Sequence, residues 1–112
     1  MTADSAGAEA VGTVAPMAEA TSSVLRALAH PTRREMVRLL RAGDLAAGEL
    51  AAPFDGAAST LSEHIAVLRR AGLIHGSRRG STITYTLDVP VLEETLRATI
   101  DLFDLGERHE HA

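Results

Sequence analysis

The chain has 112 residues, room for one domain, with a formal net charge of −4, 46% hydrophobic residues and no cysteine. The lack of cysteine excludes a disulfide framework and every thiolate metal site, and no apolar run reaches the ~18 residues that a membrane span needs. Residues 1–15 are rich in alanine and glycine but lack the basic start and compact apolar core of a signal peptide, so we expect a cytoplasmic protein.

The charges are distributed unevenly along the chain. Residues 26–41 carry five arginines and one glutamate, and residues 59–80 carry four arginines and one glutamate. From residue 88 onward, seven acidic residues face two arginines. Because salt screens charges beyond roughly 8–10 Å, an acidic end on the far side of a small domain subtracts little from a basic face. The net negative charge therefore does not exclude a nucleic-acid partner.

The first half of the chain predicts a disordered tail and three helices. Residues 1–15 are low in complexity, which is typical of disorder. A helical pattern begins near Pro16 and is interrupted at Pro31, because proline disfavours helix in the residue before it. Proline suits the first turn of a helix, so a second helix is predicted over 31–41. A short third helix is predicted over 45–52.

The second half predicts a long helix, a hairpin and a last helix. A helix over 58–71 carries an apolar stripe at i, i+4 and i+7. Residues 82–87 then alternate apolar residues with threonine, as a half-buried strand does, and the Arg-Arg-Gly run at 78–80 predicts the turn of a hairpin. The last helix begins at Pro90 and ends near Phe103. This order of elements indicates a mainly α winged helix-turn-helix fold, in which the hairpin is the wing.

Several of these segments resemble the ArsR/SmtB family of bacterial repressors. The run LRALAHPTRREMVRLL over 25–40 resembles the Ala-Leu-x-x-Pro-Thr-Arg pattern that opens the family. The segment over 48–74 resembles its helix-turn-helix, and RRGSTITYTL over 78–87 resembles its wing. The match spans about residues 24–103. The run over 43–55 is similar in particular to the SdpR-like autorepressor branch.

The resemblance implies a homodimer, with the first and last helices at the interface, that represses transcription by occupying an operator. The apolar stripes of these two helices agree with it, because a core this small cannot bury both helices fully. We expect one domain over 16–105, between the N-terminal tail and a flexible C-terminal tail over 106–112. The candidate interface residues are Met17, Val24, Leu25, Leu28, Val91, Leu92, Leu96, Ile100 and Phe103.

Metal sensing, which the family often shows, is not favoured by the residues present. One family site uses Cys-x-Cys, where this chain has Gly-Glu-Leu at 48–50. A second uses Asp-x-His and His-x-x-Glu, where this chain has Asp88-x-Pro90 and Asp101-x-x-Asp104. Zinc prefers nitrogen and sulfur ligands, so carboxylates without histidine make a poor zinc site. We therefore expect no metal and no cofactor, and interpret these carboxylates as a solvated helix face.

The helix over 58–71 is the candidate recognition helix. Its apolar stripe faces the core, which leaves the other residues of its first turns toward DNA or solvent. Small hydroxyl groups suit phosphate oxygens and base edges, although Ser59 or Thr60 could instead cap the helix. Glu63 either reads a cytosine amine, lies away from the phosphates or satisfies the helix start, and His64 either lies near the groove or is an ordinary surface residue. The candidate DNA-binding residues of this helix are Ala58, Ser59, Thr60, Ser62, Glu63, His64 and Arg69.

Further arginines extend the candidate interface. Arg78 and Arg79 at the wing tip can bind phosphates or enter a narrow minor groove, although an exposed loop also gains solubility from them. Arg69 and Arg70 end the recognition helix, where cations also favour the helix dipole, and one of them can contact phosphate. Arg33 belongs to the Pro-Thr-Arg pattern, for which an internal ion pair is favoured over DNA contact.

These features predict a DNA-binding transcriptional regulator and not an enzyme. The chain has no cysteine nucleophile, no glycine-rich phosphate loop and no His-Glu-x-x-His helix. Its expected partners are double-stranded operator DNA, bound as an inverted repeat, and a second copy of itself. One alternative is a winged-helix protein-interaction module, favoured by Ala57, Ala58 and Glu63 but not by the wing arginines. Another retains DNA binding and adds a metal or small-molecule sensor.

Overall fold

The computed structural model describes residues 19–105, so the predictions for Met17 and for both tails lie outside the described residues. Within that range the elements follow in the order α1 (residues 19–27), α2 (Pro31–Arg41), β1 (Leu45–Ala46), α3 (Ala47–Ala51), α4 (Ala58–Arg70), β2 (Ile74–Arg79), β3 (Thr82–Leu87) and α5 (Val89–Leu102). Helices α3 and α4 form the helix-turn-helix and the β2–β3 hairpin forms the wing. The predicted winged helix-turn-helix fold is therefore confirmed.

Helix α2 begins where the proline predicts. Pro31 lies in the first turn, where its missing N–H costs nothing. The N-cap residue is His30, whose Nδ1 accepts a hydrogen bond from the Thr32 N–H at 3.1 Å. The helix buries Met36, Val37 and Leu40 against the rest of the domain. Each such side chain contributes about 1.5–3 kcal/mol when it is removed from water.

The core lies between α1, α2, α3, α4 and the sheet. The predicted stripe of α4 is confirmed, because Leu61, Ile65 and Leu68 are all buried. Leu50 of α3 and Leu73, which links α4 to the wing, are fully buried beside them. This packing fixes α4 by one face only and leaves its opposite face to solvent.

A short strand that the sequence did not predict joins the helix-turn-helix to the wing. Leu45 and Ala46 were expected to be helical, but they pair antiparallel with Tyr85 and Thr84 of β3. The three-stranded sheet therefore has the order β1-β3-β2. Helix α3 begins only after this strand, where the Glu49 Oε1 accepts a hydrogen bond from the Ala46 N–H at 2.9 Å.

Helix α5 leaves a row of apolar side chains in solvent. Leu96 is 48% exposed and Ile100 is 43% exposed, and Phe103 beyond the helix end is also exposed. The predicted interface residue Val24 differs from these, because it is buried in the core of its own chain, and Leu28, Val91 and Leu92 are half-buried against that core. Among the described residues, no helix is both long and apolar enough to cross a membrane.

Candidate nucleic-acid interface

The recognition helix α4 begins without a side-chain cap. Its N-cap residue is Ala57, whose carbonyl accepts hydrogen bonds from the N–H groups of Thr60 and Leu61 at 3.0 and 3.1 Å. The prediction that Ser59 or Thr60 caps the helix is therefore wrong, since both already lie within the first turn. Their side chains are exposed at the start of the helix, as is that of Ser62.

The exposed face of α4 is polar along its whole length. Residues three, four and seven apart share a helix face, which places Ser59, Ser62, Glu63 and Arg70 on one side. Arg69 is also exposed, about two turns beyond the last of the hydroxyl groups. A helix with hydroxyl groups at its N-terminal end and cations at its C-terminal end can lie along a phosphate backbone and meet base edges with its first turns.

Glu63 is held by an ion pair across two helical turns. Its Oε1 accepts a hydrogen bond from Arg70 Nη2 at 2.7 Å, and both side chains are exposed. The proposed capping role of Glu63 is wrong, because the carboxylate reaches toward the end of the helix and not toward its start. Exposed pairs of this kind contribute about 0–1 kcal/mol, so either partner can exchange to a DNA group. The pair also offsets the charge that Arg70 would bring to a phosphate.

His64 does not belong to the exposed face. The sequence placed it toward DNA or solvent, but it is 9% exposed, and its Nδ1 lies 3.2 Å from Nη1 of Arg33. Its ring centroid lies 4.2 Å from that of His30. Burial, followed by the nearby His30 and Arg33, lowers the pKa of His64 below its ordinary 6.5. The spacing is compatible with burial, since position 64 is three residues after Leu61 and four before Leu68 on the buried stripe, but it does not by itself identify a buried histidine.

Arg33 has an internal role, as the resemblance implied, but not in an ion pair. Its Nε donates to the Ala27 carbonyl at 2.6 Å, and Nη2 donates to the Arg26 carbonyl at 3.3 Å. Its third contact is the His64 imidazole. The predicted carboxylate partner is replaced by the C-terminal end of α1, where the helix dipole favours a cation. No local sequence pattern points to the His64 contact, because the two residues are 31 positions apart.

The wing arginines lie in strand β2 and not in the turn. The predicted Arg-Arg-Gly turn is displaced, because β2 continues to Arg79 and Gly80, with φ +62°, begins the turn. Arg78 pairs with Ile83, which faces the core, and Arg79 pairs with Thr82. Paired residues share one face of a sheet and successive residues alternate, so the two arginines project from opposite faces of the wing.

The acidic residues of α5 do not form a cluster within one chain. Asp88 is the N-cap residue of α5, and its Oδ2 lies 2.7 Å from Nε2 of His75. It therefore has a structural role that the solvated-face interpretation missed. Asp101 lies 13 residues further along, about 20 Å at the rise of an α-helix. Among residues 19–105 no three histidine, aspartate or glutamate side chains are grouped closely enough to hold a metal ion.

Comparisons with known proteins agree with this architecture. Residues 28–76 match the model of a helix-turn-helix domain. The transcriptional repressor SdpR of Bacillus subtilis is 31% identical over 86 residues, which cover 77% of this chain and 96% of that protein. A biofilm growth-associated repressor of Agrobacterium fabrum is 37% identical over 86 residues, which cover 77% of this chain and 74% of that protein.

A comparison with solved structures also finds a similar fold. The crystal structure of an ArsR family transcriptional regulator superimposes with a TM-score of 0.72 at 28% identity, covering 79% of this chain and 97% of that one. The similarity thus extends over the helix-turn-helix, the wing and the flanking helices. The chain belongs to the ArsR/SmtB family of winged helix-turn-helix transcriptional regulators.

Proposed function

We propose that this protein is a transcriptional repressor that binds an inverted-repeat operator as a homodimer in the cytoplasm. The observation that carries the proposal is the two-sidedness of α4, which buries Leu61, Ile65 and Leu68 and exposes hydroxyl groups and arginines on its other face. Two such helices, one from each protomer, would enter successive major grooves about 34–36 Å apart. Occupation of a promoter in this way would block transcription.

The proposed DNA surface consists of the exposed start of α4 and the wing. The hydroxyl groups of Ser59, Thr60 and Ser62 meet base edges and phosphates, and Arg69 meets a phosphate. Glu63 can accept from a cytosine amine once its pair with Arg70 opens. His64 is left out of this surface because it is buried. The proposed contacts are Ala58, Ser59, Thr60, Ser62, Glu63, Arg69, Arg78 and Arg79.

The proposed dimer rests on apolar surface at α1 and α5. Leu25, Leu96, Ile100 and Phe103 are exposed in the single chain. A largely apolar cleft of about 420 Å³ lies between the two helices and is lined by residues that include Val24 and Val91. Contiguous exposed apolar surface is typical of an interface, and a second copy of the chain would cover it.

The proposed function is tested by DNA binding under varied salt. The purified protein is titrated against its own promoter fragment and against a random-sequence duplex pool, with and without zinc. We expect tight, sequence-selective binding that weakens steeply with salt and is unchanged by zinc. Release of DNA by zinc would support a metal-responsive repressor, and failure to bind even the pool would support the protein-interaction alternative.

The wing is tested with the double variant Arg78→Ala and Arg79→Ala. We expect weaker binding and a smaller dependence of log affinity on log salt, by about 0.9 for each phosphate that the variant no longer neutralises. The matched control is Arg97→Ala, which removes an exposed arginine on α5 that pairs with Glu94 at 3.5 Å. An unchanged affinity and slope in the double variant would remove the wing from the interface.

A further inference from the structure

A polar cluster lies behind the exposed face of α4 and makes no hydrogen bond with the residues that we propose to contact DNA. It consists of Arg33, His30 and His64, which we call the Arg33 cluster. His64 follows Ser62 and Glu63 directly in α4, so the cluster supports the same two turns that present the hydroxyl groups. Elsewhere along its buried face, α4 is held by apolar packing, which is strong but not directional.

Arg33 joins three elements through one guanidinium group. Two of its nitrogens donate to the carbonyls of Ala27 and Arg26, at 2.6 and 3.3 Å, at the C-terminal end of α1. A third nitrogen lies 3.2 Å from Nδ1 of His64. The backbone of Arg33 belongs to α2. The guanidinium is planar with donors in fixed directions, so it sets the distance and angle between these elements more tightly than apolar contacts do.

The contact with Arg33 defines the protonation state of His64. Arginine stays protonated and only donates, so Nδ1 of His64 must accept, and the neutral imidazole carries its proton on Nε2. A proton on Nδ1 would remove the hydrogen bond and place a second cation beside the guanidinium. The charged and titratable groups that act on this imidazole are Arg33 from α2, His30 from the α1–α2 connection and Glu63 from α4 itself. His30 and Arg33 disfavour a charged His64, whereas Glu63 favours it.

We propose that Arg33 and His64 are positioning residues that hold the recognition helix in its DNA-binding orientation through a neutral imidazole, so that acidification releases the helix and weakens DNA binding. This inference rests on the proposed function. It predicts that DNA affinity falls on acidification. Simple electrostatics predicts a rise, because protonation of exposed histidines adds positive charge and would strengthen binding to phosphates.

The pH range follows from the lowered pKa of His64. Since the folded protein takes up this proton at a lower pH than the unfolded chain, the free energy of unfolding falls as the pH drops below the ordinary value of 6.5. Above that value the contribution is fully present. His64 of the folded protein takes up its proton only below that value, so the loss of DNA affinity is expected to begin below pH 6.5, and one proton per protomer limits it to about tenfold per pH unit per protomer.

The decisive variant is His64→Asn, whose amide oxygen can occupy the position of Nδ1 and accept from Arg33 without titrating. The probe is a labelled duplex selected by the wild-type protein from a random-sequence pool at pH 7.5. Fluorescence anisotropy then gives the affinity from pH 7.5 to 5.5. We expect the wild-type affinity to fall as the pH drops below 6.5, by up to about tenfold per pH unit per protomer, and His64→Asn to bind within about threefold of wild type at pH 7.5 and to lose no affinity on acidification.

Two further variants separate positioning from stability. His64→Leu removes the acceptor, and we expect weaker binding at pH 7.5 even where urea unfolding shows that the protein is folded. His75→Asn removes an exposed imidazole elsewhere and should keep the wild-type pH profile. A wild-type pH profile in His64→Asn, or wild-type affinity in His64→Leu, would overturn this inference but not the proposed function. If the wild-type protein selected no duplex at pH 7.5, the proposed function would fail and the inference with it.

Discussion

At the scale of single residues, Asp88 joins the wing to the last helix. Its Oδ1 accepts a hydrogen bond from the Val91 N–H at 3.1 Å and its Oδ2 contacts His75 of β2. Its own N–H donates to the Leu73 carbonyl at 2.8 Å. The hydrogen bond from His75, followed by that from Val91, lowers the pKa of Asp88 below its ordinary 3.8. One side chain therefore caps α5 and orients it against the sheet.

Replacement of Asp88 by alanine should cost stability. We expect Asp88→Ala to lower the free energy of unfolding by about 1 kcal/mol, because the first turn of α5 loses its cap. Urea unfolding measures this. Asp101→Ala is the control, because an acid in the last turn of the same helix opposes the dipole and its removal costs nothing. Since the pKa of Asp88 is lowered, its contribution is present above pH 3.8 and is lost as the pH falls through the folded value, so the two variants should converge in acid.

Individual side chains differed in how far they could be predicted. Leu61, Ile65 and Leu68 were predictable because their spacing and their apolar character agree. His64 shares their spacing, but histidine is common both inside and outside proteins, so periodicity alone could not place it. The internal role of Arg33 followed from the family pattern, whereas its partner required the fold, because 31 residues separate it from His64.

At the scale of elements, the structure departs from the prediction made from the sequence where an element depends on a distant partner. Strand β1 has two residues and exists only because Leu45 meets Tyr85 across the sheet. No local period can indicate a strand of that length. The predicted start of α4 near Ala58 is correct, and only its cap was predicted wrongly, since the capping rule favours Ser59 or Thr60 whereas the N-cap residue is Ala57.

In the wing, Gly76 leaves little room for a larger side chain. A Cβ at this position would lie 3.1 Å from Ile83 Cγ2 and 3.1 Å from Tyr85 Cε1. We expect Gly76→Ala to destabilise the protein by on the order of 1 kcal/mol, because the Tyr85 ring must shift to admit the methyl group. Thermal or urea unfolding measures it, with the neighbouring exposed residue as the control variant Ser77→Ala. Equal stability of the two variants would show that the hairpin accommodates the methyl group without cost.

At the scale of the whole molecule, charge and apolar surface are divided between different parts of the chain. The candidate DNA surface on α4 and the wing contains Arg69, Arg78 and Arg79, while α5 carries exposed acids and exposed apolar residues. This division was predictable, because net charge and hydrophobic stripes can be counted along the sequence. The buried position of Val24 was not, since a stripe does not tell which neighbour covers it.

The proposed dimer is tested by placing acids on the exposed apolar row. We expect the wild-type protein to sediment as a dimer and the double variant Leu96→Glu with Ile100→Glu to sediment as a monomer and bind the operator more weakly, because charges would be buried at the proposed interface. Leu102→Glu is the control, since this leucine is 74% exposed and lies about 200° around the helix from Ile100. A wild-type protein that sediments as a monomer at micromolar concentration would contradict the proposal.

The strand order implies a second role for the wing arginines. Because β3 is central, β2 is an edge strand, and edge strands present unpaired N–H and C=O groups that can template the addition of another chain. The other edge, β1, is too short to recruit a partner. Arg78 and Arg79 place like charges along the long edge, so two copies repel each other when their wings approach. The two arginines that we propose to contact DNA thus also protect the protein from self-assembly into extended sheets, and we expect a chain without them to lose both properties together.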